Sequence, residues 1–325
     1  MTGFDLVVIG DCNADLVVRG GDVVPAFGQA ERVVDEMQLT IGGSGGICAA
    51  GAARLGLRVA MAGLLGNDTL GRFMRESLTA RGVDMSAVRA DPRRPTGLSI
   101  NLIRGDDRAI LTHPGTVTDL RAEMVDDGVV SSARHVHVSS YFLQSGLWPG
   151  LPALLARARA AGATVSIDPN WDPAGGWDAG LAGLYGLLDF LLPNAEEAIA
   201  LARAGAAAGR DPAGPEEAAR MLAEAGPAVV VKAGADGAFA AAPGREGTQV
   251  PAVPGVEVED SVGAGDSFDA GFLAATLWGW ETRAALALGA ACGALSTRAP
   301  GGTGAQPGRA EAVAAAEHLT RDIGQ

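Results

Sequence analysis

Short apolar runs alternate along the chain with segments whose apolar positions recur at helical spacing. This alternation is typical of an α/β protein with a mostly parallel sheet, because parallel strands need a crossover, usually a helix, between them. The predicted strands are 4–10, 58–65, 135–139, 164–168, 190–192 and 228–232, the last with a helix on either side. The predicted helices are 45–55, 70–81, 151–161, 195–204, 266–278, 282–297 and 309–319.

Residues 16–39 and 96–112 break this rhythm, since they alternate apolar and polar positions around polar turns, as hairpins do. The pattern alone leaves open whether these strands extend the main sheet at its edge or form a separate unit. We find no internal repeat and no linker that would divide the chain. One domain over residues 1–325 is therefore expected, with the extra strands, about 14–39 and 94–116, inserted into it.

Composition and charge narrow the class of protein. A chain of 325 residues that is 48% hydrophobic can bury a large core. A net charge of −13 argues against a general nucleic-acid binder, whose affinity depends on Lys and Arg. The three cysteines lack metal-ligand spacing, and their odd number favours reduced thiols and a cytoplasmic location. The longest uncharged run, 136–156, contains prolines and polar residues, so no membrane insertion is expected.

Residues 260–271 carry the most informative chemistry: a Gly-Ala-Gly turn runs into an apolar helix, with Asp266 at the junction. Backbone N–H groups in such a turn, together with the helix dipole, suit an anion or a developing negative charge. A carboxylate there would repel a phosphate unless it accepts the proton of the group that attacks the phosphate. The alternative is that Asp266 only caps the helix.

Two motifs near the N-terminus could bind a polyhydroxyl ligand. Asn13 and Asp15 follow the first strand, at the end of the sheet where α/β proteins bind ligands, although Asx residues there are often plain turn formers. Gly42 and Gly43 would let the backbone approach a substrate closely, or they form an ordinary glycine-rich helix entry.

Two later motifs place polar or charged side chains at the ends of predicted elements. Asn194 and Glu197 lie three apart at a helix start, which places them on one face and also matches a capping box. Lys232 ends a strand that runs into a turn with Gly234 and Gly237. Lysine is a common phosphate-binding point charge, and the alternative is a simple hairpin turn.

Taken together, these segments resemble one known family. Residues 260–268 closely resemble the C-terminal signature of the ribokinase-like sugar kinases, also called the phosphofructokinase B family, and 10–16, 41–51, 192–198 and 229–239 resemble its other elements. The resemblance implies a three-layer, doubly wound, mostly parallel sheet with a small β lid, about 14–39 and 94–116, that closes over a sugar and excludes water. It also implies a homodimer formed through the lid.

The same resemblance implies a role for each motif. The phosphoryl anion hole would be Gly263, Ala264 and Gly265, and Asp266 the catalytic base. The sugar would contact Asn13, Asp15, Gly42 and Gly43. ATP would contact Asn194, Lys232, Gly234, Gly237 and Gly265, with Mg²⁺ held through water by Asn194 and Glu197, and a K⁺ ion by Asp260 and the Val262 carbonyl.

The sequence departs from the family pattern at two positions. Ile47 stands where the family usually has Asn, and Ser44 or a lid residue is expected to replace that contact. Asp172 stands where an Arg is usual, so its contact must come from another arginine, with Arg104 and Arg108 as the lid candidates.

The resulting expectation is an ATP-dependent kinase that phosphorylates a hydroxyl, in particular a terminal CH₂OH, of a sugar or sugar derivative. A nucleoside kinase of the same fold is disfavoured by the 5% aromatic content. A non-catalytic sugar-binding regulatory protein is disfavoured because the base and the glycines are intact. A dinucleotide-dependent oxidoreductase lacks its Gly-x-Gly-x-x-Gly after the first strand.

Overall fold

The computed structural model describes residues 3–105, 107–205 and 210–321, without the side chains of 107, 108 and 321. Its strands are β1 Phe4–Ile9, β2 Ala14–Arg19, β3 Glu36–Ile41, β4 Val59–Ala62, β5 Leu64–Gly66, β6 Val83–Asp84, β7 Arg89–Asp91, β8 Leu98–Arg104, β9 Asp107–His113, β10 Ala133–Val138, β11 Thr164–Ile167, β12 Phe190–Leu191, β13 Ala228–Lys232, β14 Ala238–Ala241 and β15 Thr248–Val250. Its helices are α1 Ser44–Arg54, α2 Thr69–Ala80, α3 Asp127–Ser131, α4 Leu151–Ala160, α5 Ala195–Gly205, α6 Pro215–Ala223, α7 Ala264–Leu277, α8 Thr282–Ser296 and α9 Arg309–Arg321.

The central sheet has nine strands in the order β15-β14-β13-β12-β11-β10-β1-β4-β6. The strands from β13 to β6 pair in parallel, and β14 and β15 are antiparallel. Along β1, Leu6 and Val8 enter one apolar core, and Val7 and Ile9 enter the core on the opposite face. Both faces of the sheet are thus covered, which explains the continuous apolar runs and confirms the predicted three-layer α/β class.

The inserted strands form a separate four-stranded sheet, in the order β3-β2-β8-β9. The alternative that they extend the edge of the main sheet is wrong, because β2 pairs with β8 and β3 rather than with any central strand. Pairing sets Asp15 opposite Ser99 and Thr40, so these polar residues share one face. The apolar residues Leu16, Leu39 and Ile100 share the other.

Two predicted elements differ from the structure. The predicted strand 58–65 is divided at Gly63, where a side chain would lie 2.9 Å from the Gly10 carbonyl oxygen, and β5 leaves the main sheet to pair with β7. The predicted helix after β13 is wrong, because the chain reverses there and β14 pairs with β13 as a hairpin. The Pro/Gly-rich stretch 206–215, for which its sequence predicts a surface loop, lies partly outside the described residues.

Helices α7 and α8 pack closely through glycines. A Cβ on Gly271 would lie 2.7 Å from the Leu288 carbonyl oxygen, and one on Gly293 would lie 3.0 Å from the Ala264 carbonyl oxygen. Larger side chains at either position would force the helices apart, since buried backbone cannot yield by that distance.

Cys12, Cys48 and Cys292 are buried free thiols, in agreement with the reduced state expected from the sequence. Among the described residues, no helix combines the length and the apolar character that crossing a membrane requires.

Candidate active site

A cleft lies at the carboxyl ends of the parallel strands, where ligands bind in open α/β sheets. Asp11 and Asn13 follow β1, Asp168 follows β11, and Lys232 ends β13. The N-terminal turn of α7 brings Asp266 to the same place, since the carboxylates of Asp266 and Asp168 lie in one cluster with that of Asp269.

The turn before α7, which is the predicted anion hole, depends on a left-handed glycine. Gly263 has φ +72°, and a Cβ there would lie 2.6 Å from the Gly302 Cα, so only glycine fits. The Ala264 N–H donates to the Ser261 carbonyl at 3.3 Å and thereby closes the turn. The helix that starts here directs its first N–H groups and its dipole toward the cleft.

Asp266 is partly exposed at this end of the sheet. Burial by the surrounding protein and the negative charge of Asp168 raise its pKa to about 7, against the opposing effect of Lys232. A carboxyl with a pKa near neutrality is matched to accepting a proton at physiological pH.

Lys232 lies beneath the turn in a buried ion-pair cluster. Its Nζ is 2.7 Å from Asp168 Oδ2 and 3.1 Å from Asp269 Oδ2. A Cβ on Gly265 would be 3.7 Å from this Nζ, so the ammonium lies directly under the predicted anion hole. The structure places Lys232 among carboxylates within the protein, instead of leaving it open toward the cleft.

The pKa values of the two carboxyl groups in this cluster are shifted in opposite directions. Burial disfavours both charges, but at Asp168 the charge of Lys232 and the hydrogen bonds with Asp269 and Lys232 together outweigh burial, and its pKa is lowered. At Asp269 burial dominates and raises the pKa. Sequence reasoning missed Asp269, although its position three residues after Asp266 puts both on one helix face.

The two N-terminal motifs meet at the opposite wall of the cleft. A Cβ on Gly42 would overlap with Asp15 Oδ1, and one on Gly43, whose φ is +72°, would lie 2.7 Å from Asn13 Oδ1. Asn13 Nδ2 also donates to Asp15 Oδ1 at 3.4 Å. The glycine pair is therefore needed to seat both polar side chains.

Asp11, a residue that sequence reasoning did not single out, anchors this wall. Its carboxylate accepts hydrogen bonds from the N–H groups of Ser44 and Gly45, the first turn of α1, and from the Ser139 hydroxyl. Burial raises its pKa against these bonds. Ser44 in turn interacts with Asp266 and lowers its pKa, which couples α1 to α7. The sequence feature that could have identified Asp11 is an acidic residue close to the end of the first strand.

Asn194 and Glu197 form a reciprocal capping box at the start of α5. The Asn194 N–H donates to Glu197 Oε2, and the Glu197 N–H donates to Asn194 Oδ1, both at 2.9 Å. Burial and the charge of Asp168 raise the pKa of Glu197 to about 7, while Lys232 lowers it. The capping alternative is confirmed, and Glu197 also lies within the electrostatic reach of the Lys232 cluster.

The predicted nucleotide turn with Gly234 and Gly237 joins β13 to β14, so the hairpin alternative is correct for its conformation.

A second cleft, of about 710 Å³, is lined by residues 253–259, Leu295 and Arg298. Its wall at Glu259 leads directly into Asp260 and the anion-hole turn.

Comparison with known proteins decides the family. The sequence model of the pfkB family carbohydrate kinases matches residues 4–309, nearly the whole chain. The chain belongs to this family. It is therefore a carbohydrate kinase, a phosphotransferase with an alcohol group as acceptor.

The similarity to individual proteins also extends over most of the chain. An ATP-dependent ribose-1-phosphate kinase of Halopiger xanaduensis is 32% identical over 94% of this chain and 95% of its own. A 2-dehydro-3-deoxygluconokinase of Bacillus subtilis is 31% identical over 80% and 82%. A ribokinase-like structure from E. coli, in complex with ATP and Mg²⁺, has a TM-score of 0.83, 23% identity and coverage of 97% and 99%, which supports the fold.

Ile47 and Asp172, the two departures from the PfkB pattern, each have a structural role in their own surroundings. Ile47 packs against the anion-hole turn, since a Cβ on Gly263 would lie 3.0 Å from its Cγ2. Asp172 is buried and accepts hydrogen bonds from the N–H groups of Ala174 and Trp177, so it shapes its own loop. Neither side chain supplies the contact usual for its position.

Arg104, one of the two predicted lid arginines, lies away from Asp15 along the lid sheet. Arg104 lies five residues beyond Ser99, the partner of Asp15 in the lid sheet, which corresponds to about 17 Å along a strand. The side chain of Arg108 lies outside the part of the chain that the structure describes.

Gly42→Ala tests how the glycine pair seats Asp15. The new methyl group must displace the Asp15 carboxylate, so we expect KM for the sugar to rise by about tenfold or more while kcat changes less. Gly183→Ala is the matched control, because a Cβ there meets nothing within 4 Å. Steady-state kinetics measure both, and an unchanged KM in Gly42→Ala would contradict the assignment.

Proposed function

We propose that this carbohydrate kinase transfers the γ-phosphoryl group of ATP to a hydroxyl, in particular a terminal CH₂OH, of a sugar or sugar derivative. The observation that carries this proposal is Asp266, a carboxyl with a pKa near 7 at the N-terminus of α7. The charge of Asp11, which anchors the wall with Asn13 and Asp15, acts on Asp266, and residues 260–263 connect the start of α7 to the cleft that begins at Glu259.

In the proposed reaction Asp266 accepts the proton of the substrate hydroxyl as its oxygen attacks the γ-phosphorus. A new P–O bond forms, the bond from the γ-phosphorus to the bridging oxygen breaks, and ADP leaves with that electron pair. Of the predicted anion hole, Gly263 and Gly265 would direct backbone N–H groups, together with the helix dipole, at the equatorial oxygens, while the Ala264 N–H closes the turn on the Ser261 carbonyl. Lys232 adds positive charge from below Gly265. The proton on Asp266 is then released to solvent.

The acidic groups of the site fit Mg²⁺, which takes oxygen ligands and usually retains several waters. Carboxylate oxygens of Asp168, Asp266 and Asp269 lie within 4.8 Å of one another, and Glu197 interacts with Asp168. We propose that Asn194 and Glu197 hold the ion through water. Bound Mg²⁺ supplies charge neutralisation at the β- and γ-phosphates.

The nucleotide and the sugar enter from opposite sides of Asp266. We propose that the adenosine half of ATP occupies the cleft lined by 253–259, Leu295 and Arg298, with the phosphates along the Gly234–Gly237 turn. The sugar lies against Asn13, Asp15 and the polar face of the lid sheet, where Asn13 Nδ2 is 3.5 Å from Ser99 Oγ. Neutral and acidic hydrogen-bonding groups of this kind suit several hydroxyls.

A substrate panel tests this function. Sugars, sugar acids, polyols, sugar phosphates and nucleosides are each incubated with Mg-ATP, and ADP release is measured. We expect release with one sugar class well above the rate without acceptor. A preference for nucleosides would favour the nucleoside kinase, and no release with any acceptor would favour a binding protein.

We also propose that the lid sheet pairs two copies of the chain in the cytoplasm. Its outer face is apolar and exposed, with Met37 and Leu111 each 58% exposed and Leu39 38%. Light scattering should give the mass of a dimer, and Leu111→Asp should yield the monomer, because a buried unpaired charge opposes association. Glu246→Asp, an exposed change outside the lid, serves as control. A monomeric wild type would contradict this assembly.

A further inference from the structure

We propose that the Arg19 guanidinium takes the place of a monovalent cation beside the anion hole, so that phosphoryl transfer by this protein does not need K⁺. The inference rests on the proposed function. It concerns the residues that the family resemblance assigned to a K⁺ ion, Asp260 and Val262.

Arg19 reaches the anion-hole turn from the lid sheet. It is the last residue of β2 and lies on the same face as Asp15, four residues earlier, because side chains alternate along a strand. Its Nη2 is 3.2 Å from Asp260 Oδ2, and its Nη1 is 3.1 Å from Glu259 Oε1. Nη2 also lies 3.4 Å from the Glu259 carbonyl oxygen. Three contacts fix the guanidinium, and its side chain is only 16% exposed.

Asp260 is built into the turn that leads to the anion hole. Its Oδ1 accepts the Val262 N–H at 2.9 Å, and its Oδ2 accepts the Gly301 N–H at 2.8 Å. Only 2% of its side chain is exposed, and burying a carboxylate charge is costly unless a positive charge pairs with it. Arg19 supplies that charge, and each carboxylate oxygen also accepts a hydrogen bond from one of the two peptide N–H groups.

A K⁺ ion does not fit this arrangement. An ion bound to Asp260 would lie within a few ångströms of the guanidinium, and like charges at that distance repel strongly in a buried site. One carboxylate charge is already balanced by one guanidinium charge. The Glu259 side chain is about half exposed, so it offers no second buried charge to hold an additional ion.

The substitution of a side chain for an ion has a mechanical consequence. A free ion would order the turn alone, whereas Arg19 belongs to the strand that carries Asp15. The guanidinium thus ties the sugar-binding strand to the turn that precedes Gly263. Arg19 is in this sense a positioning residue, which acts on the anion hole through Asp260.

The test compares K⁺ with the inert cation tetramethylammonium at constant ionic strength. We expect wild-type kcat to agree within about twofold in the two salts. Arg19→Met removes the charge but keeps most of the side-chain length. We expect its kcat to fall about tenfold or more in tetramethylammonium and to recover at least severalfold in K⁺, while Arg19→Lys keeps most activity in either salt.

Thermal unfolding provides a readout that needs no activity. K⁺ should raise the Tm of Arg19→Met relative to tetramethylammonium, because an ion that binds only the folded state stabilises it, and should leave the wild-type Tm unchanged. Arg32→Met, at a half-exposed lid arginine beside Asp22, should show no K⁺ effect in either measurement.

The outcomes separate the inference from the proposed function. Strong activation or stabilisation of the wild type by K⁺ would overturn the inference, as would an Arg19→Met variant that is folded, impaired and insensitive to K⁺. If no acceptor is phosphorylated at all, the proposed function fails, and the Tm comparison still decides the cation question.

Discussion

Replacing Asp266 by Asn is expected to lower kcat by about two to four orders of magnitude, the usual contribution of a positioned general base. Asn has nearly the same shape but cannot accept the hydroxyl proton, so KM values for sugar and ATP should change far less. Asp127→Asn is the matched control, because Asp127 also lies in the first turn of a helix but is exposed far from the cleft. Near wild-type turnover by Asp266→Asn would show that another group is the base.

The wild-type pH profile should identify the same carboxyl. Since the base must be deprotonated, kcat/KM for the sugar should rise with pH through an apparent pKa of about 7, with a slope of one proton. The variant's residual rate should lack this limb.

Asp266→Asn should also stabilise the fold. The folded pKa of about 7 lies above the unfolded value of 3.8, so this carboxyl makes the free energy of unfolding fall as pH rises between those values. Removing the carboxyl removes that cost, and Tm at pH 8 should rise. A lower Tm would indicate that the carboxylate is a structural cap.

Replacing Lys232 by Met is expected to lower the free energy of unfolding by about 3–5 kcal/mol, the usual cost of removing one partner from a buried ion pair. The ammonium lies 2.7 Å from Asp168 and 3.1 Å from Asp269, and its side chain is only 10% exposed. Without it, two buried carboxyls face each other beside Asp266. Urea denaturation at pH 7 measures the loss.

Two further variants distinguish charge from packing. Lys232→Met combined with Asp269→Asn should recover part of the lost stability, because one of the uncompensated carboxyls is removed. Arg210→Met breaks an ion pair with Glu224 in which both side chains are more than half exposed, and it should cost less than about 1 kcal/mol. If Lys232→Met were as mild as Arg210→Met, the cluster would not be a buried charge network.

The sequence predicted the parts of the site that are contiguous in the chain. Gly263 to Asp266 could be recognised because the turn, the helix start and the acid occur together in one segment. The Lys232 cluster could not, because its ion pairs join residues 64 and 37 positions apart on three different elements. Its members are ordinary strand-end and helix residues until the fold brings them together.

The lid shows a second limit of the same kind. Alternating residues predicted strands in both inserted segments, but edge extension and separate sheet have the same pattern. The difference lies in the pairing of β2 with β8, which joins Asp15 to Ser99 across the intervening elements. The helix wrongly predicted after β13 has a related cause, since β14 is short and rich in alanine.

The glycine contacts between α7 and α8 fix the position of the catalytic turn, whereas the sugar-binding residues can vary in sequence. Because Gly271 and Gly293 leave no space between the two helices, the start of α7 is locked to the core and cannot be adjusted for a different acceptor. Changes in acceptor preference must then arise in the lid strands and the Asn13 wall. Phosphoryl transfer at the start of α7 can therefore stay the same during evolution while the preferred acceptor changes. This fits a family whose members are named for different sugars.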